Sequence, residues 1–512
     1  MTEIILTPEQ MRGAHDYLGG DTTVLGQLFE QVAPGQNVKL PVTPETVFYI
    51  EGIWRLLVDK GLKPSLMPSE GLNAREEEFV HDFKHFFLKS APPGEANPSS
   101  MLSDAMALLC HGTMAFLTLG PGPVPERKTM PSVVLIGAYG GEHVGDAAIL
   151  GGVLLGLHHD YGTVHATIMS KRPEHTRRLA SALDTPVEVT VVPYGHREIG
   201  KEIAASDGLV FAGGPLMDLP RMLVMHLKAA RLAAIHQVPF VVRNVGVGPF
   251  KRKLSRWIAR QIAVHAAVFT VRTSKAAKAP ELKGIDVKIG HDPAFDYLNS
   301  RPADLGKLTA PEQQSVDQLL DGTKGRTLIG VNIRPIRHDW SDRGEAFSRE
   351  AEKRCYEECS KAMIQLAQTS TQPVTFVFFP MNPIQLGASD LESAFILHQI
   401  VEDQIDFRVL EADPDVDGVL YLLRRLDAAI AMRFHGCIFC LSQQIPTFGI
   451  DYYPGQGGKV EQLFTDNDLS ARVRIMDQVQ ADWLQDGLDA VVQQLNASPE
   501  HKDMKQSAEG IV

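Results

Sequence analysis

The residues best suited to chemistry in this chain stand at the end of a short apolar run, Ala428-Ala429-Ile430-Ala431-Met432, which stops at Arg433-Phe434-His435-Gly436. An arginine offers a planar fork of donors to a carboxylate or phosphate, and a histidine can carry a proton near neutral pH. A run of this length suits a buried parallel strand, and in an open α/β sheet the carboxyl ends of strands face the ligand crevice. Arg433 and His435 are therefore candidate site residues. The apolar segment Cys437–Leu441 predicts a helix directly behind them. A second apolar run, Pro446–Ile450, leads through Asp451-Tyr452-Tyr453 to a glycine loop that ends in one cation, Lys459.

Other polar groups fall at predicted strand ends. Arg334 and Arg337 follow the run Thr327–Ile333, and two arginines so close suit capture of a phosphate or carboxylate; ion pairing with Asp339 or Asp342 is the structural alternative. After Ser132–Gly137, the glycines Gly140, Gly141 and Gly145 let backbone approach a ligand, and Asp146 opens a helix. The spacing is neither the dinucleotide GxGxxG nor a phosphate loop, and a plain tight turn with Asp146 as its cap is equally compatible. Gly213-Gly214-Pro215 and Gly246-Val247-Gly248-Pro249 reach the same rim, and Arg272 ends the run Val268–Val271. Lys251, Arg252, Lys253 and Arg256 form a basic cluster, either a solvated helix start or an attractor for an anionic substrate or lipid phosphate. His291-Asp292-Pro293 reads as a turn and interdomain hinge. Cys437-Ile438-Phe439-Cys440 has redox-type spacing, but small thiols on a helix behind a strand suit packing.

These residues need a scaffold, and the alternation of elements supplies one. From Ser132 to Ile289, and again from Thr327 to Ile450, strand-length apolar runs alternate with helical patterns across short connections, which predicts parallel, doubly wound sheets. The expected fold class is α/β: two Rossmann-like parallel-sheet domains facing a cleft, at 129–300 and 301–498, the latter carrying Arg433 and His435. Residues 1–128 read differently, with helical patterns at Glu9–Tyr17, Pro44–Lys60 and Ala74–Leu88, and predict a mainly helical accessory region before the Gly120–Pro125 linker. Residues 499–512 form a polar tail. At 512 residues two or three domains are expected, and 44 % hydrophobic with 22 % charged residues is ordinary globular composition. A net charge of -12 argues against a general nucleic-acid binder. Met1–Pro8 lacks the pattern of a signal peptide, and no apolar run approaches the ~20 residues of a membrane span. Five scattered cysteines make no disulfide framework, so a reducing cytoplasm is expected. No metal-ligand cluster is visible.

In order along the chain, Tyr139–Leu150, Gly213-Gly214, Asn244–Phe250, Val271-Arg272 with Ser274, Asp292-Pro293-Ala294-Phe295, Met432–Gly436, Ile445-Pro446 and Asp451-Tyr452 resemble the polysaccharide pyruvyl transferase family over about Val133 to Leu463. His143 stands where that family usually has Asn, and Thr273 where an acidic residue is common. The resemblance implies transfer of pyruvate from phosphoenolpyruvate to a saccharide as a cyclic ketal, in cell-surface glycan biosynthesis, on a fold similar to GT-B glycosyltransferases. It implies His435 as general acid or acid/base and Arg433 as the first donor-binding group, with Arg334 and Lys459 next. Arg337, Arg272, Gly140, Gly145, Asp146, Gly213, Gly214 and Gly248 complete the expected substrate contacts. Phosphoenolpyruvate is then a co-substrate and no cofactor or metal is called for. The expected acceptor is a saccharide or lipid-linked oligosaccharide, met in the cytoplasm or by peripheral association at the inner membrane face. A nucleotide-sugar glycosyltransferase and a non-catalytic saccharide-binding relative are the competing readings.

Overall fold

A computed structural model of the chain describes residues 3–6, 38–41, 131–139, 144–214, 216, 219–250, 252–336, 343–383, 389–453 and 458–497. Near the N-terminus two short strands, β1 (Glu3–Leu6) and β2 (Val38–Pro41), pair antiparallel. The helices expected between 9 and 88, the linker and the tail from 499 lie outside the described residues.

Two parallel sheets follow. The first comprises β3 (Ser132–Ile136), β4 (His165–Ser170), β5 (Glu188–Pro193), β6 (Gly208–Phe211), β7 (Phe240–Val245), β8 (Val268–Val271) and β9 (Val287–Ile289). The second comprises β10 (Thr327–Asn332), β11 (Val374–Phe378), β12 (Asp406–Val409), β13 (Ala428–Ala431), β14 (Thr447–Asp451) and β15 (Val473–Ile475). Their orders are β5-β4-β3-β6-β7-β8-β9 and β12-β11-β10-β13-β14-β15. Each sheet starts in its middle and winds outward in both directions. The winding reverses between β3 and β6, and between β10 and β13, which is where such sheets open a crevice beyond their carboxyl ends.

Strand β3 shows why these runs are apolar throughout. Val133 and Leu135 face one core and Val134 and Ile136 the other, so both sides of the sheet are covered. The first of these cores continues unbroken into the second domain, taking in Ile329, Phe376 and Ile430. The two domains are therefore packed together through apolar surface. Within the first domain the helices Val144–Tyr161 and Pro293–Ser300 approach so closely that a Cβ at Gly152 would lie 1.8 Å from the Pro293 carbonyl oxygen. Just beyond, the buried Arg301 guanidinium bridges Asp184 of the first domain at 2.9 Å and Asp417 of the second at 2.7 Å. No helix among the described residues is long and apolar enough to cross a membrane.

Candidate functional site between the two sheets

Strand β13 delivers Arg433 as the N-cap of the helix Phe434–Ser442, so His435 stands in that helix's first turn. Its imidazole crosses to the first domain. A Cβ added at Gly145 would meet the ring at 2.3 Å, so only glycine allows the helix start at Val144 to seat against it. The His435 side chain is 19 % exposed, yet its Nε2 is buried with no hydrogen-bond partner among the described residues and lies 4.0 Å from the Asp292 carboxylate. Burial pushes the imidazole down to about 4, opposed by Asp292 and reinforced by Arg272, Lys459 and Arg433. In this environment the imidazole is neutral at physiological pH.

Asp292 organises this corner. One carboxylate oxygen accepts from the Ala294 amide at 3.0 Å, capping the helix Pro293–Ser300, and the other accepts from Arg272 at 2.7 Å. Arg272 in turn lies over the Phe434 ring at 4.7 Å. Both partners of the Arg272–Asp292 pair are buried. The sequence reading made His291-Asp292-Pro293 a hinge; the structure turns His291 outward to Asp296, at 2.6 Å, and brings Asp292 into the site. The available signal was an acidic residue before a helix-starting proline at a strand's carboxyl end.

Arg433 is the most firmly held of the cations. Its backbone amide donates to Asn332 Oδ1 at 3.1 Å and its Nε to Asp390 at 2.8 Å. Asp390 is fully buried and also accepts from the Met381 and Asn382 amides at 2.9 and 3.1 Å. Nothing in the sequence near Arg433 marks Asp390, which comes from 43 residues earlier. Arg334, after β10, lies over the Tyr452 ring at 5.2 Å; burial first, and then the Arg433 charge, lower it to about 10. Lys459 starts the helix Lys459–Asp466, whose first turn is held by Asp451 accepting from the Gly458 and Glu461 amides at 3.0 and 2.8 Å. Burial, with Arg272 and Arg334 nearby, brings Lys459 down to about 7. Asp146 is moved the opposite way: burial raises it to about 7, against the pull of Arg272, Lys459 and Arg433.

The structure therefore brings Arg272, Arg433, Lys459 and Gly145 around His435, with Arg334 next to Arg433 and Lys459, and Asp146 near the same Arg272, Arg433 and Lys459. Gly213 and Gly214 stand one step away at the end of β6, Gly213 with φ +77° and close to the Tyr139 hydroxyl. That hydroxyl is buried without a hydrogen-bond partner, and burial followed by the Asp146 charge raises it. Gly248 belongs to the turn lining a cavity of about 490 Å³ between the domains, with Arg272, Thr273, Phe434, Tyr453 and Lys459 on other walls. Arg256 of the basic cluster also lines it, with its guanidinium on the Phe250 carbonyl at 3.0 Å. Gly140, His143, Lys251, Arg337, His338, Asp339 and Asp342 lie outside the described residues. Cys437 and Cys440 are buried in packing, and burial pushes the Cys440 thiol up to about 12. Among the described residues no group of three or more His, Cys, Asp or Glu could hold a metal ion.

Comparison with known proteins adds a family. A profile described as polysaccharide pyruvyl transferase matches residues 143–453. No curated protein matches the chain. Similar solved structures include UDP-GlcNAc 2-epimerase from Neisseria meningitidis bound to UDP-GlcNAc, 13 % identical, TM-score 0.44, covering 72 % of this chain and 92 % of that one. UDP-GlcNAc 2-epimerase from Methanocaldococcus jannaschii is 10 % identical, TM-score 0.44, covering 70 % and 92 %. The E. coli ADP-heptose lps heptosyltransferase II is 15 % identical, TM-score 0.41, covering 72 % and 100 %. The family match takes in strands β4 to β14 with Arg272, Arg334, Arg433 and His435, and since it spans more than half of the sequence, the chain belongs to the polysaccharide pyruvyl transferase family.

Proposed function

We propose that the protein transfers pyruvate from phosphoenolpyruvate to two hydroxyls of a saccharide, forming a cyclic ketal and releasing phosphate. The observation that carries this reading is the set of basic groups Arg272, Arg433 and Lys459, with Arg334 next to them, near a histidine whose Nε2 lacks a hydrogen-bond partner among the described residues. A small, multiply negative donor suits that field, and guanidinium groups suit its phosphate and carboxylate. Bound there, the donor's negative charge favours imidazolium over imidazole at His435. His435 then protonates the methylene carbon, C2 becomes oxocarbenium-like, and a saccharide hydroxyl attacks it. The C2–O bond to phosphate breaks and a second hydroxyl closes the ring. Arg433, fixed by Asp390, supplies a rigid charge, while Asp292 positions Arg272 and favours the imidazolium.

The interdomain cavity provides room for the acceptor beside this centre. The reaction balances with phosphoenolpyruvate as co-substrate and no further cofactor, and a cytoplasmic donor places it in the cytoplasm. The test is incubation with phosphoenolpyruvate and a panel of glycosides and lipid-linked saccharides, read by phosphate release and product mass. Expected is a ketal-sized mass increment matched mole for mole by phosphate. Release of nucleotide from a sugar nucleotide, with phosphoenolpyruvate untouched, would replace this reading with glycosyl transfer.

A further inference from the structure

Ketal formation needs more proton movements than His435 alone can make. One proton goes to the methylene carbon, one leaves each hydroxyl, and one accompanies phosphate. A single histidine that gives a proton and takes one back accounts for two of these four events. The other two, from the first hydroxyl to the departing phosphate, can pass through a second carrier within reach of the same carbon.

We infer that Asp146 is this second carrier, accepting the proton of the first attacking hydroxyl and returning it to the departing phosphate; the inference rests on the pyruvyl-transfer reading above. Three observations lead to it. Asp146 follows directly on Gly145, the residue against which the His435 ring is seated, so its carboxylate and the imidazole lie in one corner of the interface. No hydrogen bond to the Asp146 side chain occurs among the described residues, whereas the neighbouring carboxylates Asp292, Asp390 and Asp451 are each engaged by amides or guanidinium groups. The Tyr139 hydroxyl, 98 % buried by residue and without a partner, feels the Asp146 charge. Among the described residues, then, the Tyr139 hydroxyl and His435 Nε2 are buried without a hydrogen-bond partner, and Asp146 and His435 share Arg272, Asp292, Lys459 and Arg433 as charged neighbours.

The charged and titratable groups facing Asp146 come from every element of the corner: Tyr139 after β3, Arg272 after β8, Asp292 before the Pro293 helix, Arg433 after β13, and Lys459. Together with burial they place the carboxyl near 7, which suits a group that must both take and give a proton at neutral pH. The cycle closes. His435 protonates C3 as the first hydroxyl oxygen bonds to C2 and its proton passes to Asp146. Asp146 then gives that proton to phosphate as the C2–O bond breaks. The second hydroxyl attacks C2 and its proton returns to His435. Both residues end as they began.

The experiment compares wild type, Asp146→Asn and Asp146→Glu for phosphoenolpyruvate affinity by calorimetry and for turnover against pH. Expected for Asp146→Asn is affinity within a few-fold of wild type, turnover lower by about 10²- to 10⁴-fold, and loss of one limb of the turnover profile. Asp146→Glu should recover part of the rate with the limb restored. Turnover of Asp146→Asn within a few-fold of wild type, or a defect confined to affinity, overturns the assignment. Should Asp146→Asn fail to fold, Asp146→Ser is read by the same criteria. If wild type binds phosphoenolpyruvate but no acceptor yields ketal, the reading of the reaction fails, and the inference with it.

Discussion

Asp292→Asn offers a sharp test of how the site holds its proton. The substitution keeps one acceptor oxygen, for the Ala294 amide or for Arg272 but not for both, sets an NH2 donor in place of the other, and removes the charge 4.0 Å from His435 Nε2. Two unit charges at that separation interact by about 4 kcal/mol at an effective dielectric of ~20. Observed shifts from an opposite charge at this range are about 1–3 pKa units, each worth about 1.4 kcal/mol. Asp292 favours imidazolium, so its neutralisation lowers the His435 value in the donor complex. If His435 is the acid, turnover falls as pH rises through that value, and the alkaline limb should move down by about 1–3 units. Well above the limb the rate should drop by about 10- to 1000-fold; below it, much of the rate should return. The variant's fold must be checked by thermal melting, because removing one partner of a buried pair outright costs about 3–5 kcal/mol. An alkaline limb at the wild-type position, in a variant that melts normally, would refute the role given to the Asp292–His435 contact.

Binding of phosphoenolpyruvate near pH 7 should take up protons, because a negative ligand raises both His435 and Lys459 from their low values in the empty site; calorimetry in buffers of different ionisation enthalpy measures the sign, and net release would contradict the charge assignment. Gly145→Ala places a Cβ 2.3 Å from the His435 ring, so the ring must move. The expected outcome is a stability loss of about 1–3 kcal/mol and turnover down about 10²-fold, and unchanged kinetics would show that the ring tolerates displacement. Acid should destabilise the fold through His226 and His435, which burial holds at about 3 and about 4 in the native state. With both values below the unfolded ~6.5, their stability is fully present above that pH and lost as pH falls through the native values. His226→Phe should therefore flatten the fall of melting temperature between pH 6.5 and 4; a slope equal to wild type would remove His226 from the account.

Much of the scaffold was legible because parallel strands covered on both faces leave continuous apolar runs, as β6, β7 and β13 do. Strand β15 was not, since Val473-Arg474-Ile475 is too short to show a period and half of its pattern is polar. The helix Pro293–Ser300 was hidden for another reason: its Asp-Pro start is also the commonest form of a turn. At the site, strand-end position picked out Arg433, His435, Arg334, Arg272 and Lys459, because topology alone sends such residues to one rim. Their partners were not recoverable. Asn332 at the end of β10 and Asp390 at the start of the helix Asp390–Val401 reach Arg433 from far along the chain, and no local pattern says which acid will meet which base. Asp146 was legible as a helix cap or a substrate contact; that its side chain has no hydrogen bond among the described residues is a property of packing.

Those partners change what the cations mean. Arginines gathered with no acids among them would repel one another and resist burial, and the lowering of Arg334 to about 10 shows that cost where burial and Arg433 act together. Arg272 and Arg433 are instead paired with the buried Asp292 and Asp390, and arginine is a cation at every ordinary pH. Fixed charges cannot answer a ligand. The groups that can are those poised near neutrality, Lys459 and Asp146 at about 7, and His435, which burial lowers to about 4. A donor with several negative charges entering that field changes the protonation of these three and leaves the paired arginines as they were. On this account the division between paired and titrating residues, rather than the number of arginines, links the arrival of the donor to the arming of His435. Exchanging the classes tests it. Asp390→Asn, which keeps an acceptor for Arg433 but releases its charge, should strengthen phosphoenolpyruvate binding while lowering the alkaline limb of turnover, since the unbalanced guanidinium opposes imidazolium. Equal loss of affinity and turnover, with an unmoved limb, would show that Asp390 only maintains the fold.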